Sequence, residues 1–200
     1  MSDNGQADNG KPQVVEARRQ WVGENIFDVQ MDDEYRFIGC HLRLAREQAS
    51  SPQGIGARLA AVKTLVLAAL PHNAVVLAND TKLDEDARQT YHRFVFSPSP
   101  EQAKLSFALS HAIACCRYYH AYLFVLLMEA GLQARACGKM LPGLGFGYTW
   151  VVVAGEGGEE VVVDLFAETL AKAGRSELGY RDPSGKYQNP GLVYQFSSAR

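Results

Sequence analysis

Residues 148–166, "YTWVVVAGEGGEEVVVDLF", set two valine-rich arms around a glycine-rich turn. β-Branched and aromatic residues in short runs on either side of glycine mark a β-hairpin. Just upstream, residues 115–135, "CCRYYHAYLFVLLMEAGLQAR", place two adjacent thiols ahead of an almost wholly apolar run. That run predicts a helix from about Ala114 to Gly131, with Gly131 as its cap, and "LQARACGKM" after it reads as a strand. Helices precede a small antiparallel sheet, an order that points to an α+β fold.

Working outward, residues 14–28 and 33–49 read as helices, the second because Phe37, Ile38, His41 and Leu44 fall at helical spacing behind Asp32, Asp33 and Glu34. "SSPQGIG" breaks it. Residues 57–70 carry apolar side chains on nearly every face, which predicts a largely buried helix ended by Pro71. "HNAVVLAND" is a short strand or an extended link, residues 84–95 are helical, and "SPSPEQAKLSFAL" opens a further helix with Pro100 in its first turn. Residues 165–173 read as a helix, and "GYRDPSGKYQNPGLVYQF" as loop with a last strand in reserve. The expected organisation is a disordered tail (1–13), a helical annex (14–98), a core (99–173) and a loop or tail packed on that core (174–200).

Two hundred residues, 47% hydrophobic and 21% charged, are enough for one cooperative core. A formal net charge of −2, with no long Lys/Arg run, argues against nucleic acid as a partner. "AYLFVLLMEAGL" is too short to span a bilayer and contains Glu129, so no membrane segment is expected. The polar start lacks the apolar core of a secretory signal, which makes a cytoplasmic location the expectation. Cys40, Cys115, Cys116 and Cys137 lack the density of a disulfide framework and are expected as thiols.

The cysteine-led helix, the strand and the hairpin ending in an acid resemble the transglutaminase-like branch of the papain-type cysteine enzymes. In that family the nucleophilic cysteine opens a helix that ends in a Gly-Ile-Pro-Ala-Arg segment, and "AYLFVLLMEAGLQAR" matches it with Gly131, Ala134 and Arg135. The family spacing selects Cys116, and a one-residue slip selects Cys115. A His-Ala/Thr-Trp strand and a Val-rich strand ending in aspartate follow in the family; here "YTWVVV" and "VVVDLF" supply Trp150 and Asp164, with Tyr148 where the histidine belongs. The resemblance covers about residues 100–170 and implies a papain/transglutaminase-like core. It also implies a catalytic set drawn from Cys116, Tyr148 and Asp164, a site beside Trp150, and no cofactor.

Such a site needs a thiolate at a helix N-terminus, an imidazole to take its proton and a carboxylate to orient the imidazole. Tyr148 is a poor base, since a phenol with a pKa near 10 stays neutral at pH 7, but it is able to donate to an oxyanion or hold a ligand. The family glycine before the cysteine is also missing, and a helix begun near Ser110 would put Cys116 inside it, away from the positive end. His120 stands four residues after Cys116 and His111 four before Cys115, so each is a candidate partner at helical spacing. A third ligand at metal spacing is lacking, and no metal is expected. Cys115, Tyr119 and Trp150 are candidate ligand contacts, with plain core packing the competing role for the cysteine and the tyrosines.

Two functions therefore stand open. One is a cysteine-dependent hydrolase or acyltransferase forming a Cys116 thioester with a peptide, protein or small acyl or amide substrate. The other is a transglutaminase-like binding or scaffold module that has lost its histidine. A third possibility is a chance likeness, which predicts that Cys116 and Asp164 lie far apart. Tyr187, Tyr194 and Phe196 in the C-terminal stretch are candidates to cover the cleft or dock a partner.

Overall fold

The computed structural model describes residues 29–30, 32–140 and 147–179. A 3-10 turn, Asp33–Ile38, leads into α1 (Gly39–Ala49), followed by α2 (Ile55–Ala69), β1 (His72–Asn73), α3 (Ala74–Ala78) and α4 (Glu85–Phe96). Then come α5 (Leu105–Ser110), β2 (Ile113–Ala114), α6 (Cys116–Glu129), β3 (Ala134–Met140), β4 (Gly147–Ala154), β5 (Glu160–Val163) and α7 (Leu165–Lys172), with a last 3-10 turn at Ser176–Leu178. The fold is α+β: helices around a three-stranded antiparallel sheet that packs against α6.

The expected hairpin is β4–β5, with Val151 opposite Val163 and Val153 opposite Val161. Its turn closes through Gly155 N–H donating to the Glu159 carbonyl (2.7 Å), and Gly158 takes a positive φ of 82° that favours glycine. β3 pairs with the other edge of β4, Cys137 opposite Trp150. A two-residue parallel pair joins β1 to β2, His72 opposite Ile113.

Helix α6 is the centre of the molecule. Tyr118 to Leu127 are all buried, ten consecutive residues, because β3 and β4 cover one side while α1, α2 and α7 cover others. A helix that is apolar all round is stable only in such a setting, and each large side chain fully withdrawn from water contributes about 1.5–3 kcal/mol. Gly131 ends it at φ 65°, with Leu132 N–H reaching back to the Leu127 carbonyl (2.9 Å). The residues of the expected helical annex join the same hydrophobic cluster as the sheet: Tyr35, Leu42, Val62, Val66 and Leu70 pack with Tyr122, Leu126 and Val151.

Several local expectations are corrected. In the 33–49 segment the first six residues form a 3-10 turn, and the buried face is Tyr35, Leu42 and Ala45, whereas Phe37 is 61% and Leu44 37% exposed. Helix α2 is less buried than its composition suggests: Val62 and Val66 are its buried residues, Ile55, Leu59, Leu65 and Leu67 sit at intermediate depth, and Ala57, Ala60 and Ala68 are exposed. "HNAVVLAND" is mostly α3, capped by Asn73, whose side chain accepts from the Val75 N–H (2.9 Å). The helix expected from Pro100 begins at Leu105, because Asp32 accepts both the Ser106 N–H (3.2 Å) and the Ser106 hydroxyl and so fixes the start from another part of the chain. The helix expected at 14–28, the tail at 1–13 and Tyr187, Tyr194 and Phe196 lie outside the described residues. Among those described, no helix is long and apolar enough to cross a membrane.

Candidate functional site

The N-terminus of α6 is set by the chain before it. Helix α5 stops at Ser110, Ala112 enters the left-handed region at φ 54°, and Ile113–Ala114 run extended against β1. Cys115 is still extended (φ −119°, ψ −173°), and its carbonyl accepts the amides of Tyr118 (3.1 Å) and Tyr119 (3.2 Å). Cys116 is therefore the first residue of a 14-residue helix, at its positive end, where a negative charge is favoured. Cys115 is buried and Cys116 half-buried.

The two thiols form a hydrogen-bonded pair and titrate together. For the first proton, burial of Cys115 opposes loss, but the bond from Cys116, the Arg117 cation and neighbouring backbone amides outweigh it, bringing the thiol down to about 7. The second ionisation, on Cys116, is pushed well up, first by its bond to Cys115, then by burial and the charge already present. The charge that develops near neutrality thus rests on Cys115, and Cys116 is the more exposed of the two residues. Arg117 is fixed by donating to the Phe94 (2.7 Å) and Val95 (2.9 Å) carbonyls at the end of α4.

The start of β4 lies beside this helix end, since the Thr149 backbone amide acts on the Cys116 sulfur. One residue along, Tyr148 donates its hydroxyl to Asp164 Oδ2 (2.8 Å). Asp164 also caps α7, accepting the Ala167 N–H at Oδ1 (3.0 Å). Both residues are buried, and burial raises the Asp164 carboxyl to about 6 despite the bonds from Ala167 and Tyr148, which oppose the shift.

His120 lies between these groups with no exposed surface. Its Nε2 accepts the Leu165 N–H (3.0 Å), so the proton of the neutral ring is on Nδ1, which donates to Thr149 Oγ1 (3.0 Å). Burial lowers its pKa to about 3, and the Cys116 backbone opposes that shift. The lone pair a general base needs is spent on Leu165, and Asp164 Oδ1, 3.6 Å from Nε2, faces an uncharged ring. His120 is thereby a strut tying α6 to β4 and to the β5–α7 junction.

Cys115, Cys116, His120, Tyr148 and Asp164 thus gather around the start of α6 and the first residues of β4. Tyr119 and Trp150 are buried in the core cluster, and burial pushes the Tyr119 phenol upward. His111 belongs to the end of α5, not to the helix of the cysteines; its ring stacks on Phe107 at 4.0 Å. Thr149 is the participant that the sequence reading did not single out; flanked by the two quoted aromatics, it offered position alone as a signal. Among the described residues, no three His, Cys, Asp or Glu side chains gather as a metal ion would require. No family model, curated protein or solved structure matches this chain.

Proposed function

We propose that this chain is a transglutaminase-like cysteine hydrolase or acyltransferase that acts on an amide or acyl group through a Cys116 thioester. The observation that supports this reading is the placement of Cys116 as the first residue of α6, beside a β4 start that carries the Tyr148–Asp164 pair. In this scheme the Cys115 thiolate, favoured beside Arg117, takes the place of the histidine by accepting the Cys116 proton as the Cys116 sulfur becomes the nucleophile. The sulfur attacks the acyl carbon, the bond to the leaving amine or alkoxide breaks, and the leaving group takes a proton from water. Water or an amine then attacks the thioester and returns the thiolate. Tyr148, already donating to Asp164, has a positioning role in this scheme and not that of a base.

p-Nitrophenyl acetate is the test probe. Trypsin cuts after Lys104 and Arg117, releasing residues 105–117 with Cys115 and Cys116 and without Cys40 or Cys137. A hydroxylamine-labile gain of about 42 Da confined to that peptide, and lost in Cys116→Ala, is the expected result. Equal labelling of the peptides carrying Cys40 and Cys137 overturns the reading.

One observation favours the binding-module alternative: the phenol paired with Asp164 is not a proton acceptor, and His120 has no free lone pair. That alternative predicts an ordinary alkylation midpoint for the 105–117 thiols, near pH 8.5.

A further inference from the structure

We propose that Cys115 and Cys116 form a vicinal dithiol that hydrogen peroxide closes to a reversible disulfide, switching the Cys116 nucleophile off. The switching consequence rests on the acyl-transfer reading; the disulfide does not.

The two sulfurs differ in exposure in the way such chemistry requires. Cys116 is half-buried, while Cys115 is 2% exposed and adjacent to it, placed to act as the resolving thiol. Both are free thiols, and the remaining cysteines stand on other elements, Cys40 on α1 and Cys137 on β3. The Cys116 sulfur passes its proton to the Cys115 thiolate and attacks peroxide, forming an S–O bond as the O–O bond breaks and hydroxide departs. The Cys115 sulfur then displaces the sulfenic oxygen, which leaves as water once the two sulfurs are joined. In sum, two thiols lose two hydrogens, and one peroxide becomes two waters.

Adjacent Cα atoms are about 3.8 Å apart, closer than the roughly 4.4–6.8 Å usual across a disulfide. A bond formed there is strained, and strained disulfides are the easily reduced, regulatory kind. Cys115 is extended and outside the helix, so ring closure turns the 115–116 peptide without unwinding the body of α6. The bonds it disturbs are those from the Tyr118 and Tyr119 amides to the Cys115 carbonyl. Oxidation thus consumes the nucleophile and loosens the first turn that positions it.

The test treats the full-length chain with stoichiometric hydrogen peroxide and maps peptide 105–117 by mass. The expected result is a loss of about 2 Da in that peptide, resistance of both cysteines to iodoacetamide, and recovery of both thiols with dithiothreitol. Amide exchange at Tyr118 and Tyr119 is expected to quicken in the oxidised form. Cys115→Ser lacks the resolving thiol and should accumulate a Cys116 sulfenic acid that dimedone traps. Addition of oxygen to peptide 105–117 of the unmodified chain, with no loss of hydrogen, overturns the inference. A reduced protein that forms the thioester yet never closes the disulfide overturns it too, and leaves the acyl-transfer reading standing. A disulfide in a protein that never acylates overturns that reading and the switch with it, while the dithiol stands.

Discussion

Asp164 is held in the fold at a cost that pH reveals, and the isosteric change Asp164→Asn measures it. Burial raises the carboxyl from 3.8 to about 6. At about 1.36 kcal/mol per unit, the folded state favours the protonated acid by ~3 kcal/mol relative to the unfolded chain. Since the folded pKa lies above the unfolded one, this stabilisation is complete below pH 3.8. It falls as the unfolded carboxylate ionises, and is gone once pH passes about 6. Asparagine keeps the oxygen that accepts the Ala167 N–H and offers an amide to the Tyr148 hydroxyl, but does not titrate. Urea unfolding of both proteins from pH 4 to 8 should therefore give a stability difference that moves by ~2 kcal/mol in favour of the variant between about pH 4 and 6, then levels off above about pH 7. A difference that is flat across that range would show that Asp164 ionises in the fold as freely as in water, and the burial reasoning would be wrong.

His120→Leu keeps most of the volume but orphans the buried Leu165 N–H and Thr149 hydroxyl, so a loss of about 2–5 kcal/mol is expected by urea unfolding; His120→Gln, able to meet one of them, should recover part. Arg117→Met removes two bonds to the α4 carbonyls and the cation beside the thiols. It should cost about 2–4 kcal/mol and move the alkylation midpoint of peptide 105–117 to higher pH, and an unmoved midpoint refutes the electrostatic role of Arg117. Gly131→Ala, at φ 65° and with a new Cβ 3.3 Å from that of Ala49, should lower stability by about 1–2 kcal/mol in the same unfolding assay.

The parts of the molecule legible in sequence are those where one local signal is strong. The valine arms around Gly155–Gly158 could only be a hairpin, and the apolar run after Cys116 was long enough to be a buried helix whatever its neighbours. Where a segment's state is decided elsewhere, the sequence misled. The start of α5 is held by Asp32, seventy-four residues away from Ser106. The outward-facing Phe37 and Leu44 broke the pattern of the first helix, whose buried face is carried instead by Tyr35, Leu42 and Ala45. The start of α6 depends on a non-glycine residue at positive φ and on pairing with β1, some forty residues upstream, neither of which composition announces.

Those same non-local features give the site its logic. Had the helix run on from α5, Cys116 would sit in mid-helix, its thiol beyond the reach of the helix end. The Ala112 turn and the β1–β2 pair break the chain so that Cys115 is extended and Cys116 begins the helix. On the opposite side, His120 fixes β4 and the β5–α7 junction to the same helix, which holds Tyr148 and Asp164 in register with the thiols. The only imidazole in this cluster of described residues is spent as a strut, so in the acyl-transfer reading proposed above the Cys116 sulfur loses its proton by other means. An adjacent thiol and a fixed guanidinium are the means available.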